Sequence, residues 1–256
     1  MVPDEYIEKA KNDLHIAYEH TSHGSQLVTG MNVLRYHSEY GDKYLWTDDG
    51  SNGLDFDDDS IGGNDLGADD LVSGVTRWSY QTRTMLDNPT NNHINVVMWS
   101  WCNIDYHDCQ LYVDNMELLI NEYPNVTFVF MTGHSVGDGE NMGLNRVHYN
   151  NQLIRQHCID NDRLLFDFAD IEAYDPNSNY YWDLNLYDNL DYDSGNWGIQ
   201  WCNANPGHEL QILTSECGYC SHSGTAGEGN TINCVLKGRA VWWMMACIAG
   251  WDGQTN

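Results

Sequence analysis

The stretch IAYEHTSHGSQLVTGM, Ile16 to Met31, runs from a short apolar strand ending near Glu19, through a glycine-containing turn, into an amphipathic helix. A side chain presented by that turn stands at the carboxyl end of a strand, the edge where open α/β sheets hold their ligands. The turn crowds His20, Thr21, Ser22, His23 and Ser25 into six residues. Three readings compete: a nucleophile on a strand-to-helix turn, a metal site, and a polar loop whose serine caps the helix that follows.

Outward from there, Leu27, Met31, Leu34 and Tyr36 recur near helical spacing between Ser25 and Tyr40, and Gly41 is a natural stop. YLWTDD reads as a second strand, followed by an acidic, glycine-rich loop from Gly50 to Asp70. Leu71 to Leu86 reads as a helix with Val75, Trp78 and Met85 on its buried side. INVVMWSW, Ile94 to Trp101, is apolar on both faces, as a central parallel strand must be. Helix QLYVDNMELLINEYP, strand VTFVFMTG, helix LNRVHYNNQLIRQHCIDND and strand RLLFDFADI complete the alternation. Five strands alternating with helices, joined by right-handed crossovers, predict an α/β fold with a doubly wound parallel sheet. A last helix starts near Asn233, with Trp242, Trp243, Met244 and Ala246 expected against the sheet. Before it lies an irregular acidic insertion, about 174–232. No linker divides the chain, so residues 1–256 are read as one domain.

Eleven Lys+Arg against 38 Asp+Glu give a formal net charge of -27. That field repels phosphate backbones and anionic lipid, which excludes nucleic acid as a partner. There is no 18-residue apolar run, hence no expected membrane insertion. Four of the eight cysteines, Cys202, Cys217, Cys220 and Cys234, fall in a stretch that reads as poor in secondary structure and would gain most from cross-links. This favours a secreted, disulfide-bonded protein whose signal peptide is absent from the given sequence. The alternative is a zinc site with Cys217 and Cys220 as a CxxC half. In DLNLYDNLDYDSGN, Asp188, Asp191, Asp193 and Asn196 surround Gly195 with hard oxygen donors at the close spacing of a calcium loop. They are read as a structural calcium site or as a solvated acidic loop.

Strand order brings Ser22, the Gly62–Gly67 loop, Asn103 and His134 to one edge, and His222 in GYCSHSG can fold back over it from just before the last helix. A hydroxyl, an imidazole and N–H donors at one edge are the parts acyl transfer needs. In this arrangement the chain resembles the SGNH (GDSL-type) hydrolases, with His20-Thr21-Ser22 in place of Gly-Asp-Ser, similar to the His-His-Ser-Thr-Gly blocks of some bacterial members. The resemblance implies a three-layer, flavodoxin-like sheet and a serine esterase needing no cofactor for catalysis. It makes Ser22 the nucleophile, His222 the general base, and Ser22, Gly67 (or Gly63) and Asn103 the oxyanion hole. The family's aspartate, three residues before the histidine, is here Tyr219. Glu216, Asp170 or a backbone carbonyl are then the candidates to orient His222, and His20, His23 and His134 to line the pocket. The expected substrate is a small acyl ester, such as an acetyl group on a polysaccharide, with Tyr180, Tyr181, Trp182 and Trp197 offered as stacking platforms. Two other readings remain: a zinc hydrolase using His20 and His23 with His134 or His222, and a non-catalytic carbohydrate-binding protein on the same fold.

Overall fold

The computed structural model describes residues 2–63, 65–67, 70–225 and 227–254. Its centre is a parallel sheet of six strands: β1 (His15–Glu19), β2 (Trp46–Thr47), β3 (Leu54–Asp58), β4 (Val96–Trp99), β5 (Thr127–Met131) and β6 (Leu165–Phe166), in the order β2-β3-β1-β4-β5-β6. The helices are α1 (Asp4–Asp13), α2 (Ser25–Tyr36), α3 (Arg77–Leu86), α4 (Cys109–Glu122), α5 (Val147–Asn161), α6 (Phe168–Ala173), α7 (Trp197–Ala204), α8 (Glu209–Glu216) and α9 (Ile232–Ile248).

The expected count of five strands is corrected to six by β3. Its residues LDFDD sit inside the stretch read as an acidic loop, yet Leu54, Asp55 and Phe56 are buried, and Asp55 to Asp58 pair with His15 to Tyr18 of β1. The acidic composition hid the strand. Asp55 is tolerated inside because its carboxylate meets His15 Nδ1 at 2.6 Å. Every residue of β4 is buried, as its apolar run requires.

The order reverses at β1, whose neighbours are β3 and β4. Right-handed crossovers then put α2 on one face of the sheet and α3, α4 and α5 on the other. Helix α9 packs against α2, and α1 packs against α9. The α2–α9 crossing is close because both helices carry glycine there: a Cβ on Gly30 would lie 1.8 Å from the Cys234 carbonyl oxygen, and one on Gly238 would lie 2.2 Å from the Gly30 carbonyl carbon. This contact sets the first turns of α9 against the helix that follows Ser22.

The insertion at 174–232 is more ordered than its composition predicts, since α7, α8 and two short antiparallel hairpins lie within it. Asn196 Oδ1 accepts the Ile199 N–H at 3.0 Å and caps α7; His208 Nδ1 caps α8 through the Leu210 N–H at 3.2 Å. One disulfide, Cys220–Cys234, ties the insertion to α9. Cys202 and Cys217 are free buried thiols, and with Cys220 bonded to Cys234 the alternative reading of a Cys217/Cys220 zinc half-site falls. Trp243 is 48% exposed, unlike Trp242, so only part of the expected tryptophan face packs. No described helix is long and apolar enough to cross a membrane.

Candidate functional site

The crevice beyond β1 and β4 is where the strand order reverses, and the β1–α2 turn occupies it. Ser22 is exposed and has φ +33°, a left-handed backbone that a non-glycine residue adopts only when its surroundings impose it. Two neighbours impose it. Gly24 allows the turn to press against the end of β4, where a Cβ would stand 2.0 Å from Ser100 Oγ and 2.3 Å from His20 Cβ. The Tyr18 hydroxyl, buried beneath, donates to the Gly24 carbonyl at 2.9 Å. Ser22 does not cap α2: neither its helical turn nor α2 has a side-chain cap, and the Ser25 hydroxyl donates back to the Ser22 carbonyl at 2.7 Å.

The Ser22 hydroxyl is instead hydrogen-bonded to His222 Nε2, across 200 residues of sequence. His222, also at positive φ (+62°), arrives from the turn of the 219–225 hairpin. Its Nδ1 lies 3.9 Å from Asp188 Oδ2. That is beyond a hydrogen bond. The same oxygen accepts from His23 Nε2 at 2.8 Å. His23 lies between two other imidazoles, stacked on His134 and on His222 with ring centroids 3.7 Å apart in each case.

This arrangement fixes the charges. Burial, aided by the two neighbouring imidazoles, pushes the His23 pKa below its ordinary value, and the attraction of Asp188 does not overcome it. His23 is therefore neutral, donating Nε2–H to Asp188 and leaving Nδ1 buried without a partner. For Asp188, burial opposes ionisation, but the bond from His23 and the three nearby imidazoles outweigh it and hold the carboxyl below the usual range. A carboxylate thus stands beside the histidine that holds Ser22.

Several expected site residues stand elsewhere. Glu216 bonds His37 Nδ1 at 2.8 Å, and Asp170 lies on α6, its N–H bonded to Asp167 Oδ1; neither meets His222. The glycine loop is folded around Glu19, which is fully buried at the end of β1 and accepts the N–H groups of Ile61, Gly62 and Gly63 at 2.7, 2.8 and 3.0 Å. Gly67 donates to Asp65 Oδ1 at 3.2 Å. The expected oxyanion donors Gly63 and Gly67 are therefore already engaged. Asn103 Oδ1 accepts the Asp105 N–H at 2.9 Å, a turn that fixes its amide. His20 leaves the pocket to meet Asp58 at 2.9 Å; burial lowers its pKa, but the Asp58 bond and charge raise it by more.

The expected calcium ligands diverge. Asp188 faces His23; Asp191 accepts from Asn189 at 2.7 Å and Asn196 at 2.9 Å; Asp193 accepts from Asn185 at 2.9 Å; and the Asn196 oxygen caps α7. These bonds shape the loop that the ion was expected to shape. Among the described residues, one group has metal-ligand spacing, His23, Asp188 and His222, whose ligand atoms lie within 4.8 Å of one another. The stacking platforms are also corrected: Trp197 is fully buried and Trp182 is 4% exposed, their indole N–H groups donating to Glu172 and Gly139 carbonyls at 3.0 and 2.9 Å.

Sequence reading missed Asp188 as the partner of the histidines because it lies 34 residues before His222, where no spacing rule connects them. It also missed Lys237, which shares the otherwise apolar run VLKGRAVWWMM with Arg239 but is fully buried, where a lysine needs an acidic partner. Comparison with protein-family models, curated proteins and solved structures gave no match.

Proposed function

We propose that the chain is a serine esterase acting on a small acyl ester, with Ser22 as nucleophile, His222 as general base and Asp188 as the stabilising carboxylate. The observation that carries this reading is the hydrogen bond from Ser22 Oγ to His222 Nε2, beside an ionised Asp188. His222 takes the hydroxyl proton as Ser22 Oγ attacks the ester carbonyl, then returns it to the leaving alcohol; water repeats the cycle on the acyl-serine. Asp188 stabilises the imidazolium formed on the way. The Ser22 N–H and the Asn103 amide, its oxygen end pinned by Asp105, are the proposed oxyanion donors. An acetyl group on a carbohydrate remains the proposed substrate class. The strongly negative surface favours neutral or cationic esters. The Cys220–Cys234 bond supports an oxidising, extracytoplasmic setting.

The trio His23, Asp188 and His222 favours one second reading, a zinc hydrolase. Against it, a ligating imidazole normally donates its other N–H to a fixed acceptor, and His23 Nδ1 has none. Ser22→Ala is expected to lower turnover of 4-nitrophenyl acetate by at least about 10³-fold, with unchanged circular dichroism. Labelling of Ser22 by a fluorophosphonate and full activity after exhaustive chelation complete the test. Wild-type turnover in Ser22→Ala, or activity that chelation removes and zinc restores, would sink the serine reading.

A further inference from the structure

Beneath the site lies a buried ion pair to which the proposed chemistry gives no task. Lys237 of α9 and Glu172 of α6 are both fully buried, with Nζ 2.7 Å from Oε1. Lys237 also donates to Gln26 Oε1, and its Nζ sits 3.6 Å from the centre of the Phe168 ring. Both ions have lost their hydration, and an apolar pair of equal volume would serve stability as well or better. The pair therefore calls for a role other than holding the core together.

Its hydrogen bonds lead to the segments that carry His222, Asp188 and His134. The Gln26 amide donates to the Ser221 carbonyl and to Ser223 Oγ at 3.3 Å, on either side of His222. Asn233, fully buried in the first turn of α9, donates to Ser223 Oγ at 2.8 Å and to the Asp188 carbonyl at 3.0 Å. Ser223 donates to that same carbonyl at 2.9 Å. The second Glu172 oxygen accepts the Ser135 N–H and hydroxyl at 2.8 and 3.0 Å, next to His134. One connected set thus grips the backbone around His222, Asp188 and His134. His222 needs such a grip, because its left-handed backbone at φ +62° persists only if its flanks are held.

We infer that Lys237 and Glu172, acting through Gln26, Asn233 and Ser223, are positioning residues that keep His222 and Asp188 in register with Ser22. None is bonded to the Ser22 hydroxyl. This inference rests on the esterase reading for its kinetic readout. The charges bearing on Lys237 are Glu172 and Asp188. Burial pulls its pKa down to about 8 in spite of both, so its proton is available as a reporter of the set.

The test begins with wild-type protein, labelled at Ser22 by a fluorophosphonate and assayed on 4-nitrophenyl acetate from pH 5 to 10. Lys237→Met, the paired Lys237→Met/Glu172→Gln and the milder Gln26→Met are then compared for kcat, KM and thermal unfolding. The expected result is kcat lowered by roughly 10-fold or more with KM within about 3-fold, the signature of a misplaced base rather than lost binding. Wild-type kcat is expected to fall above about pH 8, and this alkaline limb disappears in both Lys237 variants. A purely structural role would lower the unfolding temperature and leave the limb in place. Folded variants with wild-type kcat and an unchanged limb overturn the inference. If Lys237→Met does not fold, Gln26→Met decides on kcat and KM alone. If wild type is neither labelled nor active, the esterase reading fails separately. The positioning set is then read from the His222 ring resonances: a displacement in Gln26→Met supports it, and an unmoved ring overturns it.

Discussion

The two halves of the site are held by different physics. The β1–α2 turn, with Ser22, rests on strand pairing, the Tyr18 hydroxyl and the close approach of Gly24 to Ser100. The 174–231 excursion, with Asp188 and His222, is anchored beneath the site by Gln26, Asn233, Ser223 and one disulfide. The first half is specified by residues that are neighbours in the chain or in the sheet. The second depends on partners up to 197 residues apart. Damage to the first half should therefore appear mainly as lost packing, and damage to the second as lost alignment.

The sharpest test of the excursion is Asp188→Asn. Where a carboxylate bonds the base directly, such a change costs about 10⁴ in rate. Here Asp188 stands 3.9 Å from His222 and bonds His23 instead, so a fall in kcat of roughly 10³-fold is expected, read on an activated acetyl ester. Wild-type turnover would remove Asp188 from the reaction. Next comes the disulfide, which closes a loop across a sequence separation of 14. Cys220→Ser should cost about 3 kcal/mol by the chain-entropy relation, measured by urea unfolding, and should slow fluorophosphonate labelling of Ser22 because the His222 hairpin loses its tie to α9. Labelling at the wild-type rate would show that the hydrogen bonds alone hold the hairpin.

On the other half, Gly24→Ala places a methyl 2.0 Å from Ser100 Oγ. Overpacking of that kind costs about 1–3 kcal/mol, and the same denaturation experiment checks it; no loss of stability would mean that the turn is looser than its contacts imply. The smallest expected effect concerns pH. Asp188 has its folded pKa below the ordinary 3.8, with burial opposing that shift and the bond from His23 together with the nearby imidazoles outweighing it. Its contribution to stability is therefore fully present above pH 3.8 and is lost as pH falls through the folded value. Wild type and Asp188→Asn should differ least in stability at the acid end of a pH series. A difference that widens as pH falls would reverse the sign and refute the assignment.

Much of the scaffold is legible in the chain. The runs at Val96–Trp99 and Thr127–Met131 are apolar because both faces of a central parallel strand are covered. Ser22 stands out because it falls between the end of a strand and the start of a helix. Strand β3 is hidden because charge masks its inward Leu54 and Phe56, and Asp55 is paid for only by His15, which is 40 residues away. The acidic loop around Asp188 carries the donor spacing of a calcium site, yet its donors turn to Asn185, Asn189, Asn196 and His23. Spacing lists which atoms are near along the chain; it does not say which way they point.

The sequence by itself determined the alternation of strands and helices and the place of Ser22 at a strand's carboxyl end, because periodicity and turn chemistry are local properties; His222 entered as its partner only through a family resemblance. Only the tertiary structure decided that Asp188 joins the histidine stack, that Trp182 and Trp197 are buried, and that Lys237 and Glu172 lie beneath the site. Those contacts depend on the path of an excursion held by polar groups. Such groups leave no periodic trace in the sequence, because each is satisfied by a single distant partner rather than by burial of a continuous face.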